Sequence, residues 1–191
     1  GGINGEYIKH SLNEIGISND YLTIRDETTD SIILSLENGE INIKGKEPRI
    51  TREEIVGFYE LFNRNIFNAN ILCCIGDLQN NIPKEIFNYF ISFGNRYGKK
   101  ALLRARGEEL NIAIEAAPYL VLINRDDLEY LTKLKLDYEY EIIKAGQFIL
   151  DKGVSITAID MGRKGSIALT KDHIYRIDIE KLALKDVSIN Y

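Results

Sequence analysis

A run of apolar residues, Tyr119–Ile123, is followed directly by polar ones. An apolar run without alternation is typical of a strand that is buried on both faces of a parallel sheet. Asn124 ends the run, and Asp126 and Asp127 begin a predicted helix through Leu131, since acidic side chains favour a helix N-terminus. Ligands of open α/β sheets bind just past the carboxyl ends of the strands. These three polar residues are therefore predicted to lie at a binding rim, and the alternative is an ordinary N-cap with solvated acids.

Strand and helix patterns alternate from residue 71 onward. The predicted strands are Ile71–Ile75, Ala101–Leu103, Tyr119–Ile123 and Ser155–Ile159, followed by a hairpin of Ser166–Leu169 and His173–Ile177. A helix that begins at Pro83 has five residues predicted to face the core: Ile86, Phe87, Phe90, Ile91 and Tyr97. This alternation predicts an α/β fold, with a doubly wound, mostly parallel sheet and helices on both faces.

The first third of the chain follows a different pattern. A helical periodicity places Ile8, Leu12 and Ile15 on one face. The predicted extended segments that follow are Tyr21–Arg25, Ser31–Glu37 and Glu40–Lys44. The pair Asn38-Gly39 is a strong two-residue hairpin signal. A small antiparallel sheet is therefore predicted, attached to the main body, and the capping box at residues 51–54 begins the next amphipathic helix.

Composition narrows the class of protein. The chain has 191 residues, 45% of them hydrophobic, and a net charge of −5 without a basic stripe. One globular domain is predicted, with no nucleic-acid partner and no membrane partner. Cys73 and Cys74 are adjacent in an apolar run, so their side chains point to opposite faces of a strand and cannot pair. Buried thiols in a reduced, cytoplasmic protein are the prediction.

Familiar catalytic motifs are not found. The chain has no Walker-type glycine-lysine motif and no Gly-x-Gly-x-x-Gly after a strand. With two histidines and no Cys-x-x-Cys, a structural zinc site is not predicted. The chain begins Gly-Gly-Ile-Asn-Gly without a methionine, which is expected of part of a longer protein.

Five short motifs follow one another along the chain at predicted strand ends and helix starts. They are Gly1–Ile8, Gly76–Pro83, Arg106–Leu110, Asn124–Leu128 and Asp160–Gly165. In order and spacing they resemble Gly-Gly-x-x-Gly-Glu-Phe-Ile, Gly-Ser-Leu-Pro-x-Gly-x-Pro, Ser-Gly-Glu-Ala-Leu, Asn-x-x-Glu and Ser/Thr-Leu-Gly-x-x-Gly of the PfkB (ribokinase-like) carbohydrate kinases. The 1-phosphofructokinase and tagatose-6-phosphate kinase branch of that family is the most similar. The resemblance covers essentially the whole chain.

This resemblance implies a fold and an activity. It implies one truncated ribokinase-like domain over residues 1–191, with lid strands at about 21–44 and an α/β body at 1–20 and 45–191. The implied reaction is ATP-dependent phosphorylation of a sugar or sugar phosphate with Mg²⁺. A homodimer through the lid strands is also implied. The implied site residues are Gly1, Gly2 and Gly5 for the sugar, Asn124 and Asp127 for the metal, and Asp160, Gly162 and Gly165 for the nucleotide.

The residues do not settle what the three N-terminal glycines do. Glycines ahead of a helix let a ligand approach the backbone closely, and a plain turn explains them equally well.

The chain also departs from the family pattern. The family's catalytic Asp, in a Gly-Ala-Gly-Asp motif, is expected just after Tyr191, so the segment alone is expected to be inactive. Thr29, Arg104 and Leu122 stand where the family has Arg, Asp and Lys, and Asp160 replaces a hydroxyl beside phosphate. These departures motivate a second hypothesis, a degenerate homologue that acts as a non-catalytic binding or scaffold protein.

Overall fold

The structure, a computed structural model, describes residues 1–36, 39–79 and 81–178. They form two compact units. The first comprises Gly1–Asn70 and Leu78–Ile86, and the second comprises Ile71–Asp77 and the chain from Phe87 onward. The division into a lid and an α/β body stays a prediction. No helix within the described ranges is long and apolar enough to cross a membrane.

The first unit contains a two-stranded antiparallel sheet and two helices. The elements are α1 (Gly2–Glu14), β1 (Ser31–Leu36), β2 (Gly39–Lys44) and α2 (Arg52–Asn65). The strands pair with Ile32 opposite Ile43 and Leu36 opposite Gly39, which confirms the predicted small antiparallel sheet. Asn38, in the predicted turn, lies outside the described residues.

One prediction for this unit is wrong. Tyr21–Arg25 is not a strand, because the backbone amide of Arg25 donates to the Glu54 carboxylate at 2.7 Å rather than to a neighbouring strand. The predicted first helix is present as α1, but none of its residues is buried and Ile15, just past its end, is 70% exposed.

The Glu54 side chain joins the two segments that flank the β1–β2 sheet. It is only 8% exposed, and its carboxylate accepts from the backbone amides of Arg25 and Thr51, each at 2.7 Å. The Thr51 hydroxyl accepts from the Glu54 amide at 3.2 Å, which completes the predicted capping box. The amides of Thr51 and Arg25 lower the pKa of Glu54, because both hydrogen bonds favour the ionised carboxylate.

The second unit is built on a six-stranded sheet whose strands are ordered as they occur in the chain, from β3 to β8. The strands are β3 (Ile71–Ile75), β4 (Lys100–Arg104), β5 (Leu120–Asn124), β6 (Ile156–Asp160), β7 (Ser166–Leu169) and β8 (Ile174–Ile177). Strands β3 to β6 pair in parallel, whereas β7 pairs antiparallel with both β6 and β8. The α/β class, the mostly parallel sheet and the terminal hairpin are therefore confirmed.

The helices that connect these strands are α3 (Ile86–Arg96), α4 (Gly107–Ile114), α5 (Arg125–Thr132) and α6 (Glu139–Asp151). Helix α3 begins three residues after Pro83, whose carbonyl accepts from the Ile86 amide at 3.1 Å. Four of its five predicted core residues are buried, but Tyr97 lies beyond the end of α3 and is 51% exposed. The inward assignment of Tyr97 is therefore wrong.

One face of this sheet is buried across five strands. The register places these buried side chains side by side: Cys74, Leu103, Val121, Thr157 and Leu169. Helix α6 packs closely on this face, because a Cβ atom at Gly146 would lie 2.2 Å from the Leu169 side chain. Burial of these mainly apolar side chains stabilises the unit through the hydrophobic effect.

The opposite face is less buried than the apolar runs predict. Leu122 is half-buried because it lines a cavity, so β5 is not fully buried on both faces. Strand β3 is not a buried strand either, since Ile71 and Ile75 are exposed and Cys74 alone is buried. As the first strand in the sheet order, β3 has one neighbouring strand among the described residues. Cys73 points away from Cys74 and is exposed, so the prediction of two buried thiols is wrong for Cys73.

We expect Glu54→Ala to destabilise the chain by about 1–2 kcal/mol, through loss of the capping box and of the amide partner of Arg25. Guanidinium unfolding measures this difference. Glu53→Ala, an exposed change in the same helical turn, is the matched control and should cost less than about 0.5 kcal/mol. The pKa of Glu54 is lowered in the folded state. Its contribution to folding stability is therefore present above the ordinary pKa of 4.5 and is lost as the pH falls through the lowered pKa. Equal destabilisation by the two substitutions would contradict this role.

We expect iodoacetamide at pH 8 to modify Cys73 in the folded protein and Cys74 only after unfolding. Burial raises the pKa of Cys74 to about 12, so its thiol stays protonated, and the reactive species is the thiolate. Because this pKa is raised, the stabilising contribution of the neutral thiol is full below the ordinary value of 9.0 and declines as the pH rises from there towards about 12. Mass spectrometry of the alkylated protein locates the label, and Cys73→Ser should abolish native labelling. Alkylation of Cys74 in folded protein would refute the assignment.

Candidate functional site

The carboxyl ends of four neighbouring strands, β3 to β6, surround a cavity of about 240 Å³ in the second unit. Parallel strands that follow one another in a sheet bring these ends to one edge. The lining residues are therefore strand tips and the residues just after them: Ile75, Gly76, Asp77, Arg104, Ala105, Arg106, Leu122, Ile123, Asn124, Asp127 and Asp160. This is the rim that the apolar run before Asn124 predicts.

Asn124 and Asp127 are both at this rim, as predicted. Asn124 is the N-cap of α5, and its Oδ1 accepts from the Asp127 backbone amide at 2.7 Å. The N-cap interpretation therefore describes what the side chain of Asn124 contacts, and the rim interpretation describes where it lies. The Asp127 side chain is 16% exposed and lines the cavity. Asp126 is exposed and is not among the lining residues.

An arginine lies between two of the cavity's carboxylates. The Arg106 Nε is 3.9 Å from Asp77 Oδ1 and 3.9 Å from Asp127 Oδ2. Burial raises the pKa of Asp127, and the charges of Asp126 and Asp77 add to this, whereas Arg106 and the Asn124 hydrogen bond oppose it. The residues that line the cavity thus include three aspartates, Asp77, Asp127 and Asp160, and two arginines, Arg104 and Arg106.

The Asp160 carboxylate is held by the loop that follows β6. Its Oδ1 accepts from the Gly162 backbone amide at 2.8 Å, and the Gly165 amide donates to the Gly162 carbonyl at 3.0 Å. Gly165 has φ +87°, and a Cβ atom there would lie 2.1 Å from the Ile177 carbonyl oxygen, so this position requires glycine. Asp160 lines the cavity, and Gly162 is tied to it. The nucleotide-binding role of Gly162 and Gly165 stays a prediction, and both amides are already engaged within the loop.

The glycines Gly1, Gly2 and Gly5 belong to the first unit, whereas the cavity belongs to the second. The Glu27 carboxylate accepts from the backbone amides of Ile3 at 3.1 Å and Asn4 at 2.7 Å, in the first turn of α1. A Cβ atom at Gly2 would overlap the Glu27 carboxylate, and one at Gly5 would lie 3.2 Å from the Thr28 hydroxyl. The absence of side chains at Gly2 and Gly5 lets Glu27 and Thr28 pack against α1. The sugar-binding role of Gly1, Gly2 and Gly5 stays a prediction.

Sequence reasoning missed Asp77 and Arg106 as site residues. Both could have been found by the rule that identified Asn124, because Asp77 comes two residues and Arg106 three residues after the end of a predicted strand. Arg104 and Leu122, noted as departures from the family pattern, also line the cavity. Thr29 lies in the first unit, where its hydroxyl donates to the Lys46 carbonyl at 3.1 Å.

The residues at the cavity fit a divalent cation only in part. Within the described ranges no group of three or more His, Cys, Asp or Glu side chains is arranged to hold a metal ion. The Asn124 Oδ1 already accepts a hydrogen bond, while Asp127 and Asp160 offer carboxylate oxygens. Magnesium usually takes one or two protein carboxylates and completes its shell with water and phosphate oxygens. The donor set therefore suits Mg²⁺ that arrives together with a phosphate ligand.

With the fold and the cavity described, the chain can be placed among known proteins. It matches the pfkB family carbohydrate kinase pattern over residues 1–187, and it belongs to that family. A curated relative, the 1-phosphofructokinase of Borreliella burgdorferi, is 28% identical over 187 residues. That match covers 95% of this chain and 59% of the relative, so the chain spans about three-fifths of the relative's length.

Solved structures confirm the fold. Phosphofructokinase-2 from Escherichia coli in complex with fructose-6-phosphate has a TM-score of 0.82 at 19% identity, over 95% of this chain and 61% of that one. The tetrameric inhibited form of the same enzyme has a TM-score of 0.81 at 20% identity, over 93% of this chain and 59% of that one. The ribokinase-like fold expected from the ordered motifs is therefore confirmed.

Proposed function

We propose that the protein to which this chain belongs transfers the terminal phosphoryl group of ATP to a hydroxyl group of a sugar phosphate. The family match supports the reaction class. The observation that carries the proposal is the convergence of four parallel strand ends on one polar cavity. Phosphoryl transfer depends chiefly on positioning and on neutralising phosphate charge, and a site of fixed charged groups is suited to both.

Three of the lining residues have proposed roles. Asp127 and Asp160 would offer oxygens to Mg²⁺, directly or through water, and Mg²⁺ when bound would neutralise phosphate charge. Asn124 would fix the start of α5 and thereby the position of Asp127, since its side chain caps that helix. We assign no catalytic base among the described residues.

The relatives support a proposed class of acceptor sugar, and the two cysteines support a proposed location in the cell. The B. burgdorferi relative is a 1-phosphofructokinase, and the E. coli structure holds fructose-6-phosphate. We therefore propose a fructose phosphate or a similar ketose phosphate as the acceptor. Free thiols at Cys73 and Cys74 support the proposed cytoplasmic location, where thiols stay reduced.

An assay of ATP consumption tests the activity. The full-length product of the gene should consume ATP with at least one of fructose 1-phosphate, fructose 6-phosphate and tagatose 6-phosphate, and the 191-residue chain alone should not. Calorimetry with Mg-ATP on the full-length protein distinguishes the second hypothesis. Folded protein that binds Mg-ATP but phosphorylates no sugar would favour the non-catalytic alternative, and folded protein that does not bind Mg-ATP would overturn the proposal.

We expect Asp127→Asn in the full-length protein to lower kcat by about 10- to 100-fold, the range seen when groups around a bound metal are replaced. Asp126→Asn is the matched control, because it makes the same change one residue away at an exposed position that does not line the cavity. Its kcat should stay within about twofold of wild type, as for a surface substitution. Similar losses in both variants would show that the helix terminus rather than the cavity carboxylate is responsible.

We also propose that the protein forms a homodimer through β1 and β2. The pairing of these strands places five apolar residues on one face of the small sheet: Ile32, Leu34, Leu36, Ile41 and Ile43. All five are exposed, between 44% and 58%. A two-stranded sheet is marginally stable on its own, and an exposed apolar patch of this kind marks an interaction surface. The opposite face of the small sheet is mostly polar, so burial of the apolar face alone by a second copy of the chain would suffice.

We expect Leu34→Asp to shift the full-length protein from dimer to monomer, because a carboxylate on the apolar face would be buried without a partner. Sedimentation velocity measures the state. Ser35→Asp places the same residue one position along the strand on the polar face, and it should leave the dimer intact. A wild-type monomer, or equal dissociation by both variants, would contradict an interface on the apolar face.

A further inference from the structure

Arg106 occupies an unusual place in the fold. It is the N-cap of α4, yet its side chain makes no capping hydrogen bond. Arginine carries only donors, so it cannot accept from the free amides of a helix start as Ser, Asp or Asn would. Its guanidinium instead lies between Asp77, after β3, and Asp127, in the first turn of α5. The side chain therefore serves the cavity rather than the helix.

The distances show that this guanidinium retains donors for a ligand. Both carboxylate oxygens are 3.9 Å from its Nε, whereas a direct charge-assisted hydrogen bond measures about 2.7–2.9 Å. The Arg106 side chain is 62% exposed, so a molecule in the cavity can reach it. Asp77 and Asp127 thus hold the Arg106 guanidinium at the cavity by charge attraction and leave its planar set of N–H groups available to a ligand.

The charges around Arg106 define what it can bind. Asp77, Asp127 and Asp160 line the same cavity, and each repels an anion. A phosphate group would enter such a cavity only against this repulsion unless a cation offsets it. The guanidinium geometry matches two phosphate oxygens at once, which a single point charge does not.

We propose that Arg106 is a phosphate-positioning residue, and that Asp77 and Asp127 hold its guanidinium at the cavity until the phosphates of the nucleotide arrive. This inference rests on the proposed phosphoryl-transfer function and adds to it a residue of this chain that the ordered motifs do not assign. On binding, the guanidinium donates to phosphate oxygens, and its pairing with Asp127 weakens. The Asp127 carboxylate then becomes available to other ligands.

Calorimetry with ATP in the presence of EDTA, on the full-length protein, tests this assignment without any metal ion. Arg106→Ser should weaken ATP binding about tenfold or more, since a charge-assisted hydrogen bond is worth about 1.5–3 kcal/mol. Competition by adenosine, which has no phosphate, should be unchanged. Arg106→Lys should restore part of the ATP affinity, because it keeps the charge without the planar fork.

Arg125→Ser is the matched control. It removes the same charge two residues before Asp127, where Arg125 pairs with Glu129 and Asp137 rather than with the cavity carboxylates. Its ATP affinity should equal that of wild type, and thermal melting establishes that each variant is folded. Equal ATP binding by Arg106→Ser and wild type would overturn the inference and leave the proposed function standing. Parallel losses of ATP and adenosine affinity would assign Arg106 a structural role instead. A wild-type protein that binds ATP with Mg²⁺ but not with EDTA would overturn the inference alone, and one that binds ATP under neither condition would overturn both proposals.

Discussion

Parallel pairing of β3 to β6 in chain order, with the same face of each strand buried, fixes where the polar residues of the second unit lie. The register aligns Leu103 with Val121 and Val121 with Thr157, and all three are buried. A shift by one residue would turn these side chains to the other face, which makes the register strongly specified. Because the strands run in one direction and β5 starts opposite Leu102, only two residues into β4, their carboxyl ends lie at one edge of the sheet. The cavity is a geometric consequence of this packing rather than an addition to it.

The electrostatics of the cavity reflect a compromise between burial and charge. Asp127 is mostly covered, and burial disfavours its ionised form, while Arg106 and the Asn124 side chain favour it. The cap at α5 and the ion pairs of Arg106 act on the same carboxylate from two directions. Such opposing influences are common where a charged group serves chemistry instead of stability. The first unit uses carboxylates differently, since Glu54 and Glu27 accept from backbone amides and organise the chain around them.

The sequence predicted those elements whose signals are local. Apolar runs located β3 to β6, residues 51–54 supplied the capping box of α2, and the polar residues after Ile123 pointed to the rim. Tertiary contacts decided the rest. Tyr21–Arg25 has an extended pattern, but its amide partner is a glutamate far along the chain, which no local pattern reveals. Ile71, Ile75 and Leu122 are apolar yet only partly buried or exposed, because their burial depends on sheet position and on the cavity. Arg106 was visible as a residue after a strand, but its partnership with Asp77 required the order of the strands.

The residues that fold the second unit are different from those that face the cavity. The buried positions of β5 and β6 end at Ile123 and Ile159, and the next residues along the chain, Asn124 and Asp160, line the cavity instead of the core. Replacement of an exposed tip residue such as Asp160 therefore costs less folding energy than replacement of a buried residue such as Ile159. Proteins with this fold can therefore change their ligand preference through substitutions at the carboxyl ends of the strands, such as Arg104, while the fold itself is retained.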